Sequence, residues 1–324
     1  MSLSIKPYLS SDELCWDEFC VNCHQATFLH TRKFLGYHGD KFIDASLVIE
    51  MDSRIIGLFP AAVNPNDNES IVSHPGLTYG GILHNSSLKG ELLVSCLSLI
   101  KAHYASLGFS QLTYKAVPKI YHQAPVDDDL YAIFRLNGLQ KRVDLSCAID
   151  LDNQLIVSER RRRGLKKAIK SGVVIEENCN LFSGLWDVLT DNLIRKHGVS
   201  PVHNLSEILS LVEKFPNNIK CVCALYDGNV IAGVVLFVTP SCIHSQYIAS
   251  SEFGYSVSAL DMVFDYCITT ARQLGKRWFD FGISTEDSGM VLNDGLYKFK
   301  SEFGGAGIVH QFYEFNLLGE SDAN

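Results

Sequence analysis

The sequence predicts a mixed α/β fold, mixed sheets flanked by helices in α+β layers, built from two copies of one supersecondary unit. Three observations predict it. Apolar residues recur at helical spacing in three long segments. Strand-like runs come in pairs joined by short Asp-Gly or Asp-Ser turns. The order hairpin, strand, long helix, strand occurs twice at a near-constant offset.

Taken in order, Ala45–Met51, Asp52-Ser53 and Ile55–Val63 form the first hairpin. Tyr79 lies in the strand-like segment that follows. Leu92, Leu93, Cys96, Leu97, Ile100 and Leu107 mark a helix near 89–107 that Gly108 closes, and Gln111–Ala116 is the next strand. In the second half, Phe182, Leu185, Trp186, Leu189 and Leu193 predict a helix near 182–196. Cys221–Tyr226, Asp227-Gly228 and Val230–Val238 form a hairpin, and Tyr247 lies in a third strand. Val257–Leu274 is a helix ended by Gly275, and Arg277–Phe281 a strand. Gly57 matches Gly233 (233 − 57 = 176), Tyr79 matches Tyr247 (168) and Gly108 matches Gly275 (167). Between the copies, Tyr121–Tyr131, with Pro125 and Asp127-Asp128-Asp129, is expected to be a loop. Leu155–Ser171 is strongly basic and helical. The expected domains are 1–150 and 151–324, the second beginning with the basic helix.

The 324 residues carry a formal charge of 28 − 36 = −8, which excludes a general nucleic-acid coat protein and requires any RNA contact to be local. The ten cysteines are scattered, several in apolar runs, as expected of reduced packing residues. Cys221 and Cys223 alternate and should share one sheet face. No apolar run reaches the roughly 18–20 residues of a membrane helix, and MSLSIKPYLSSDE lacks the apolar core of a signal peptide. A cytoplasmic protein without an integral membrane segment is expected. Cys20-Val21-Asn22-Cys23-His24 matches a haem-attachment pattern but lies in an expected N-terminal helix. No second Cys/His pair at ligand spacing follows, so no metal is expected.

Hairpin, third strand, long helix and fourth strand are the core of the GNAT acyltransferase superfamily. With HSQYIAS (244–250), WFDFGISTE (278–286) and LNDGLYKFKSEFGG (292–305), the chain resembles Fem-type peptidyltransferases and their acetyltransferase-like relatives. TFLHTRKFLGYH (27–38), SHPGLTYGGIL (73–83), KAVPKIYHQAP (115–125), RRRGLKKAIKSGV (161–173) and SPVHNL (200–205) favour the acetyltransferase-like relatives. The resemblance implies a tandem GNAT-like fold over nearly the whole chain. GNAT acetyltransferases carry a Gln/Arg-x-x-Gly-x-Gly/Ala loop that cradles the donor pyrophosphate. Ser250–Ser256 lacks it here. Fem-type enzymes also lack it and use aminoacyl-tRNA.

Candidate site residues follow. Arg160, Arg161, Arg162, Arg163, Lys166, Lys167 and Lys170 concentrate positive charge on one helix, which suits phosphates, with Arg160 and Arg163 able to give bidentate contacts; the alternative is a solvated helix face. The Fem-type resemblance sets Lys300 near donor and acceptor, where it would stabilise an oxyanion or bind donor phosphate; Lys298 is the lesser candidate. Asp280-Phe281-Gly282 matches a kinase motif without the loops a kinase needs. A strand end carrying Asp280, then Ser284 and Glu286, suits an active-site rim, with Glu286 as proton acceptor or, alternatively, a capping carboxylate. His203 is a second candidate base or a structural histidine. His74 sits in a Pro-Gly loop before Tyr79-Gly80-Gly81, whose glycines would let the backbone approach a substrate or serve a tight turn, and Tyr247 would line the acyl site or pack in the sheet.

The reading drawn from these residues is an N-acyltransferase, acetyltransferase-like, moving an acyl group from acyl-coenzyme A to an amine of a cell-envelope or polysaccharide precursor. The acceptor is a small molecule or lipid-linked. An aminoacyl-tRNA-dependent peptidyltransferase acting on a peptidoglycan precursor, with tRNA as partner, is the second reading. A non-catalytic glycan- or peptide-binding module is the third. In either enzyme, backbone N–H groups around Gln246–Ala249 would hold the oxyanion.

Overall fold

The computed structural model describes residues 2–198, 201 and 203–318. Of SPVHNL (200–205), Ser200 and Val202 lie outside the described residues. The chain divides into two compact units. Unit 1 comprises Met1–Asp144, Asp287–Val291 and Val309–Asn324; unit 2 comprises Leu145–Glu286 and Leu292–Ile308. The sequence draws its division after residue 150, whereas the structural boundary falls after Asp144 and two later stretches return to unit 1. A linear reading sees the start of the strand Ala306–Asn316 but not its return.

In unit 1 the strands β1 (Leu3–Pro7), β2 (Leu47–Met51), β3 (Arg54–Phe59), β4 (Ala62–Asn64), β5 (Asp67–Val72), β6 (Leu83–His84) and β7 (Gln111–Lys115) accompany the helices α1 (Glu13–Val21), α2 (Arg32–Leu35), α3 (Glu91–Ser106) and α4 (Asp128–Arg135). One antiparallel sheet runs β1-β2-β3-β6. In a second sheet β4 pairs β5 antiparallel, β5 pairs β7 in parallel across the α3 crossover, and β7 pairs residues 312–316 antiparallel. The apolar stripe of α3 (Leu93, Cys96, Leu97, Ile100) packs with Ile49, Ile71 and Leu112.

Two expectations for unit 1 change. Tyr79 is not in a strand: the third strand is the two-residue β6, whose His84 faces Gly57, because Pro75, Gly76 and Gly81 (φ +86°) interrupt an extended chain. Tyr121–Tyr131 is not wholly loop, since α4 starts at Asp128. The acids read as loop residues stand in the first helical turn, where negative charge is favourable.

Unit 2 receives the end of β8 (Leu139–Asp150) and continues with α5 (Glu159–Lys170), β9 (Val174–Glu177), α6 (Phe182–His197), α7 (Leu205–Lys214), β10 (Ile219–Tyr226), β11 (Asn229–Val238), β12 (Cys242–Ser250), α8 (Glu252–Ser256), α9 (Ala259–Gln273), β13 (Trp278–Ile283) and α10 (Asp294–Ser301). Its strand order is β8-β13-β12-β11-β10-β9, all neighbours antiparallel except β12 and β13. Helix α6 covers one face of the sheet and α9 the other. The expected helix 257–274 is α9, and Ser258, at φ +62°, separates it from the short α8 before it. Cys221 and Cys223 do share a face, with their sulfurs 3.6 Å apart. All ten cysteines are free, and only Cys15 and Cys179 are exposed.

Burial in unit 1 lowers the pKa of His30 and His74 to about 3 and of His84 and His122 to about 4. These folded values lie below the ordinary 6.5, so the unfolded chain binds more protons and stability is lost as pH falls from 6.5 towards 3. Asp129, raised to about 6 by burial, acts in the opposite sense between 6 and 3.8. The four histidines outweigh it. Urea midpoints measured between pH 7 and 4 should fall steadily; a flat profile would refute neutral burial of these rings.

Candidate active site

Strands β12 and β13 pair for only three residues: Cys242 with Trp278, Ile243 with Phe279, and His244 with Asp280. Beyond that rung both strands leave regular register. On β12, Tyr247 faces Val235 and Ser245 faces Leu236, so Gln246 is an extra, bulged residue. On β13 the register against β8 shifts between Asp280 and Ile283, where Gly282 takes φ +79°. The strands therefore diverge, and a gap opens at their ends.

The last rung is held by a buried network. Asp280 is fully buried. One of its oxygens accepts from the Ser146 hydroxyl (2.5 Å) and the Gly282 N–H (3.1 Å), and the other from His244 Nδ1 (2.7 Å). The His244 side chain keeps 13 % exposure. Divergence would leave the carbonyls of Gly282 and Ile283 without ladder donors, and the Lys300 ammonium donates to both, at 2.8 and 2.6 Å. Burial lowers the Lys300 pKa to about 8.

A cavity of about 470 Å³ occupies the open end of unit 2. It is lined by Leu189 and Asn192 of α6, Ile248 of β12, Tyr255 of α8, and Asn293 and Leu296 at the start of α10. Leu260 and Phe299 extend into a second cavity of about 260 Å³ that Arg160 and Asp261 also line. The first is apolar with two amide groups, the pattern of a small-molecule cleft. The pyrophosphate cradle of a conventional coenzyme A site does not fit here. The Gly254 N–H is taken by the Ser251 hydroxyl at 3.0 Å, and the exposed Glu252, paired with Arg195 at 2.5 Å, puts a carboxylate in the first turn of α8, where an anion cradle needs free N–H groups.

The basic helix separates into two kinds of arginine. Arg161 is buried, donates to both Asp261 oxygens (3.0 and 3.2 Å) and to Glu302 (3.0 Å), and stacks over Phe299. Burial raises the Asp261 pKa to about 6 even beside this guanidinium. Gly164 admits the contact, since a Cβ there would lie 2.6 Å from the Asp261 carboxyl. Arg160 and Arg163 are exposed. Arg160 lines the smaller cavity, whereas Arg163 bonds only the Glu159 carbonyl among the described hydrogen bonds.

Of the expected residues, His203 and Tyr247 are brought together: the imidazole Nδ1 meets the Tyr247 hydroxyl, Trp186 packs on the Tyr247 ring at 5.3 Å, and burial raises the tyrosine pKa to about 12. Glu286 is exposed and accepts from the Asn293 amide (3.0 Å), whose oxygen caps α10; it supports the cavity rim rather than lining it. Asp280 is no rim residue: it is fully buried, with both carboxylate oxygens accepting hydrogen bonds. Lys300 lies at the divergence, with its ammonium turned onto backbone.

In unit 1, Tyr79 and Gly80 are corrected from substrate contacts to packing. Tyr79 is 2 % exposed, stacked on Tyr121 at 4.4 Å with its hydroxyl on Thr27. A side chain at Gly80 would run into the Ser73 carbonyl. His74 is buried and borders a cavity of about 230 Å³ with Arg32, His38 and Phe42. The site residues missed by sequence reasoning are His244 and, as a structural hub, Arg161. Their signals were present in HSQYIAS and in the run of four arginines, but only sheet register and helix phase single them out.

Residues 157–300 match the family model described as "Acetyltransferase (GNAT) domain". No curated protein sequence matches the chain. Among solved structures, FemX is similar over 98 % of this chain and 97 % of its own, at 12 % identity and TM-score 0.68. L-PGS from Bacillus licheniformis is similar over 86 % and 85 %, at 12 % and 0.58. A tandem GNAT protein from the clavulanic acid biosynthesis pathway is similar over 99 % and 100 %, at 9 % and 0.53. The chain thus has a tandem GNAT-like fold with an acetyltransferase-type domain in its second half. Among the described residues no group of His, Cys, Asp or Glu forms a metal cluster, and no helix is long and apolar enough to cross a membrane.

Removing the Lys300 ammonium strands the buried Gly282 carbonyl and takes a donor from the partly buried Ile283 carbonyl, so Lys300→Met should destabilise by roughly 1–3 kcal/mol in urea unfolding at pH 7. Its folded pKa of about 8 lies below the ordinary 10.5, so its contribution to stability rises from pH 8 to 10.5. The variant should lose that part of the slope. An unchanged midpoint would show that the carbonyls do not need the amine.

Proposed function

We propose, from the acetyltransferase-type domain at 157–300, that the chain is an N-acyltransferase moving an acyl group from acyl-coenzyme A to an amine of a cell-envelope or polysaccharide precursor. The observation that carries this reading is the divergence of β12 and β13 beside an apolar cavity. It gives an acyl group a route to the sheet and leaves the bulge at Gln246 to supply backbone N–H groups for a developing oxyanion.

In this reading His244 takes the proton of the attacking amine. Asp280, already accepting two other hydrogen bonds, accepts Nδ1–H and so sets the tautomer whose Nε2 bears the lone pair. His203 and Tyr247 shape the acceptor side of the same domain. Arg160 and Arg163 meet phosphate. Lys300 positions β13, and Glu286 positions the α10 cap through Asn293. The tandem plan assigns residues 1–150 as a first GNAT-like domain with His74 at its cavity.

The second reading, an aminoacyl-tRNA-dependent peptidyltransferase acting on a peptidoglycan precursor, is favoured by one observation: Ser251 caps α8 and Glu252 sets a carboxylate in its first turn, in place of a glycine-rich anion cradle. A non-catalytic glycan- or peptide-binding module is the remaining alternative.

The deciding experiment mixes purified chain with acetyl-coenzyme A and a panel of amino sugars and follows thiol release. His244→Gln should lower kcat roughly 10²–10⁴-fold, and Asp280→Asn, which keeps the imidazole but removes the carboxylate that accepts Nδ1–H, should lower it as well. Full turnover in a folded His244→Gln variant would remove the base assignment. Failure of every acyl-coenzyme A to bind, with charged tRNA binding instead, would select the second reading.

A further inference from the structure

We propose that the outer face of α5 and its flanks form a docking surface for an anionic lipid bilayer. The inner stripe of α5 is Arg161, Gly164 and Ala168, all buried. At about 100° per residue, Lys166 and Lys170 point away from it, Arg163 lies to one side of that direction and Lys167 stands on the flank. Among the described residues none of these four has a carboxylate partner; Glu159, the one acid of α5, pairs with Arg162 at 2.5 Å. In a chain of net charge −8 this is a concentrated cationic face.

Aliphatic side chains stand exposed at both ends of that face. Leu155 and Ile156 precede the helix at 57 % and 87 % exposure, and Ile169 (57 %) and Val174 (61 %) end it. The first pair is presented by fixed backbone: the Leu155 N–H donates to the Gly304 carbonyl (3.1 Å) and the Ser158 N–H to the Glu302 carbonyl (2.9 Å). Cations for lipid phosphates, with aliphatic groups reaching past the headgroups, are the composition of a surface-bound segment.

Nucleic acid fits the face less well. Residues 151–177 contain no aromatic side chain on which a base could stack, and exposed leucine and isoleucine gain nothing from a phosphate backbone. Arg160, one position before the buried stripe, also lines the smaller cavity, so a chain lying on this face holds that opening beside the headgroups. The inference goes beyond acyl transfer and requires no step of it: a chain without transferase activity would still bind.

The test is co-sedimentation of the whole chain with vesicles of phosphatidylcholine alone or with about a third phosphatidylglycerol. Binding is expected only to the anionic vesicles and should weaken as salt rises from about 0.05 to 0.5 M. Lys166→Gln/Lys167→Gln/Lys170→Gln should lose roughly a hundredfold, at about fivefold per charge. Ile156→Asp should weaken binding while leaving the salt dependence in place. Circular dichroism checks that each variant folds. No binding to anionic vesicles, equal binding to neutral ones, or an unchanged triple variant overturns the proposal. So does tRNA that binds through the same lysines and excludes the vesicles, which would assign the face to RNA.

Discussion

The rung between His244 and Asp280 is the constraint on which unit 2 depends. It is the last paired position of two parallel strands, and it is made of a buried carboxylate, a hydroxyl, a backbone N–H and an imidazole. A buried carboxylate is tolerated only when its lone pairs are filled. Filling them fixes where β12 and β13 stop pairing. The carbonyls exposed by the parting strands then need a donor, which draws Lys300 of α10 inward. Helix α10 in turn brings Asn293, Leu296 and Phe299 to the cavity. Cavity, bulge and helix placement are thus successive consequences of one polar rung.

Much of this fold was legible in the sequence because it is local. The spacing of Phe182, Leu185, Trp186 and Leu189 predicts α6, and Asp227-Gly228 predicts the hairpin of β10 and β11, without knowledge of any distant contact. The site was less legible because its residues are chosen by non-local geometry. Lys298 and Lys300 are the same residue type two positions apart, yet only Lys300 faces carbonyls that have lost their strand. His244 differs from any strand histidine only in facing Asp280 across a rung that sequence cannot register. Tyr79 and Gly80 looked like a ligand loop because the glycine that admits a substrate also admits the Ser73 carbonyl.

Four consecutive arginines make the same point. Helix phase alone sends Arg161 to Asp261 and Glu302 and leaves its neighbours outside. The buried one is structural, and replacing it would leave the Asp261 and Glu302 carboxylates without their cation. The exposed ones carry little cost in the free chain, so they remain available to a partner.

The two buried lysines have a further chemical meaning. Burial lowers the pKa of Lys115 in unit 1 to about 7 and of Lys300 in unit 2 to about 8. An amine with so low a pKa holds far more of its neutral form near neutrality than an ordinary lysine does, and the neutral form is the state that attacks an activated acyl group. In water both amines would return to the ordinary value of 10.5, because burial is what lowers them. Each instead holds its nitrogen against two carbonyls, His74 and Leu77 for Lys115 and Gly282 and Ile283 for Lys300. The folded chain thereby keeps the two amines that burial makes easiest to deprotonate committed to backbone and out of reach of an acyl donor.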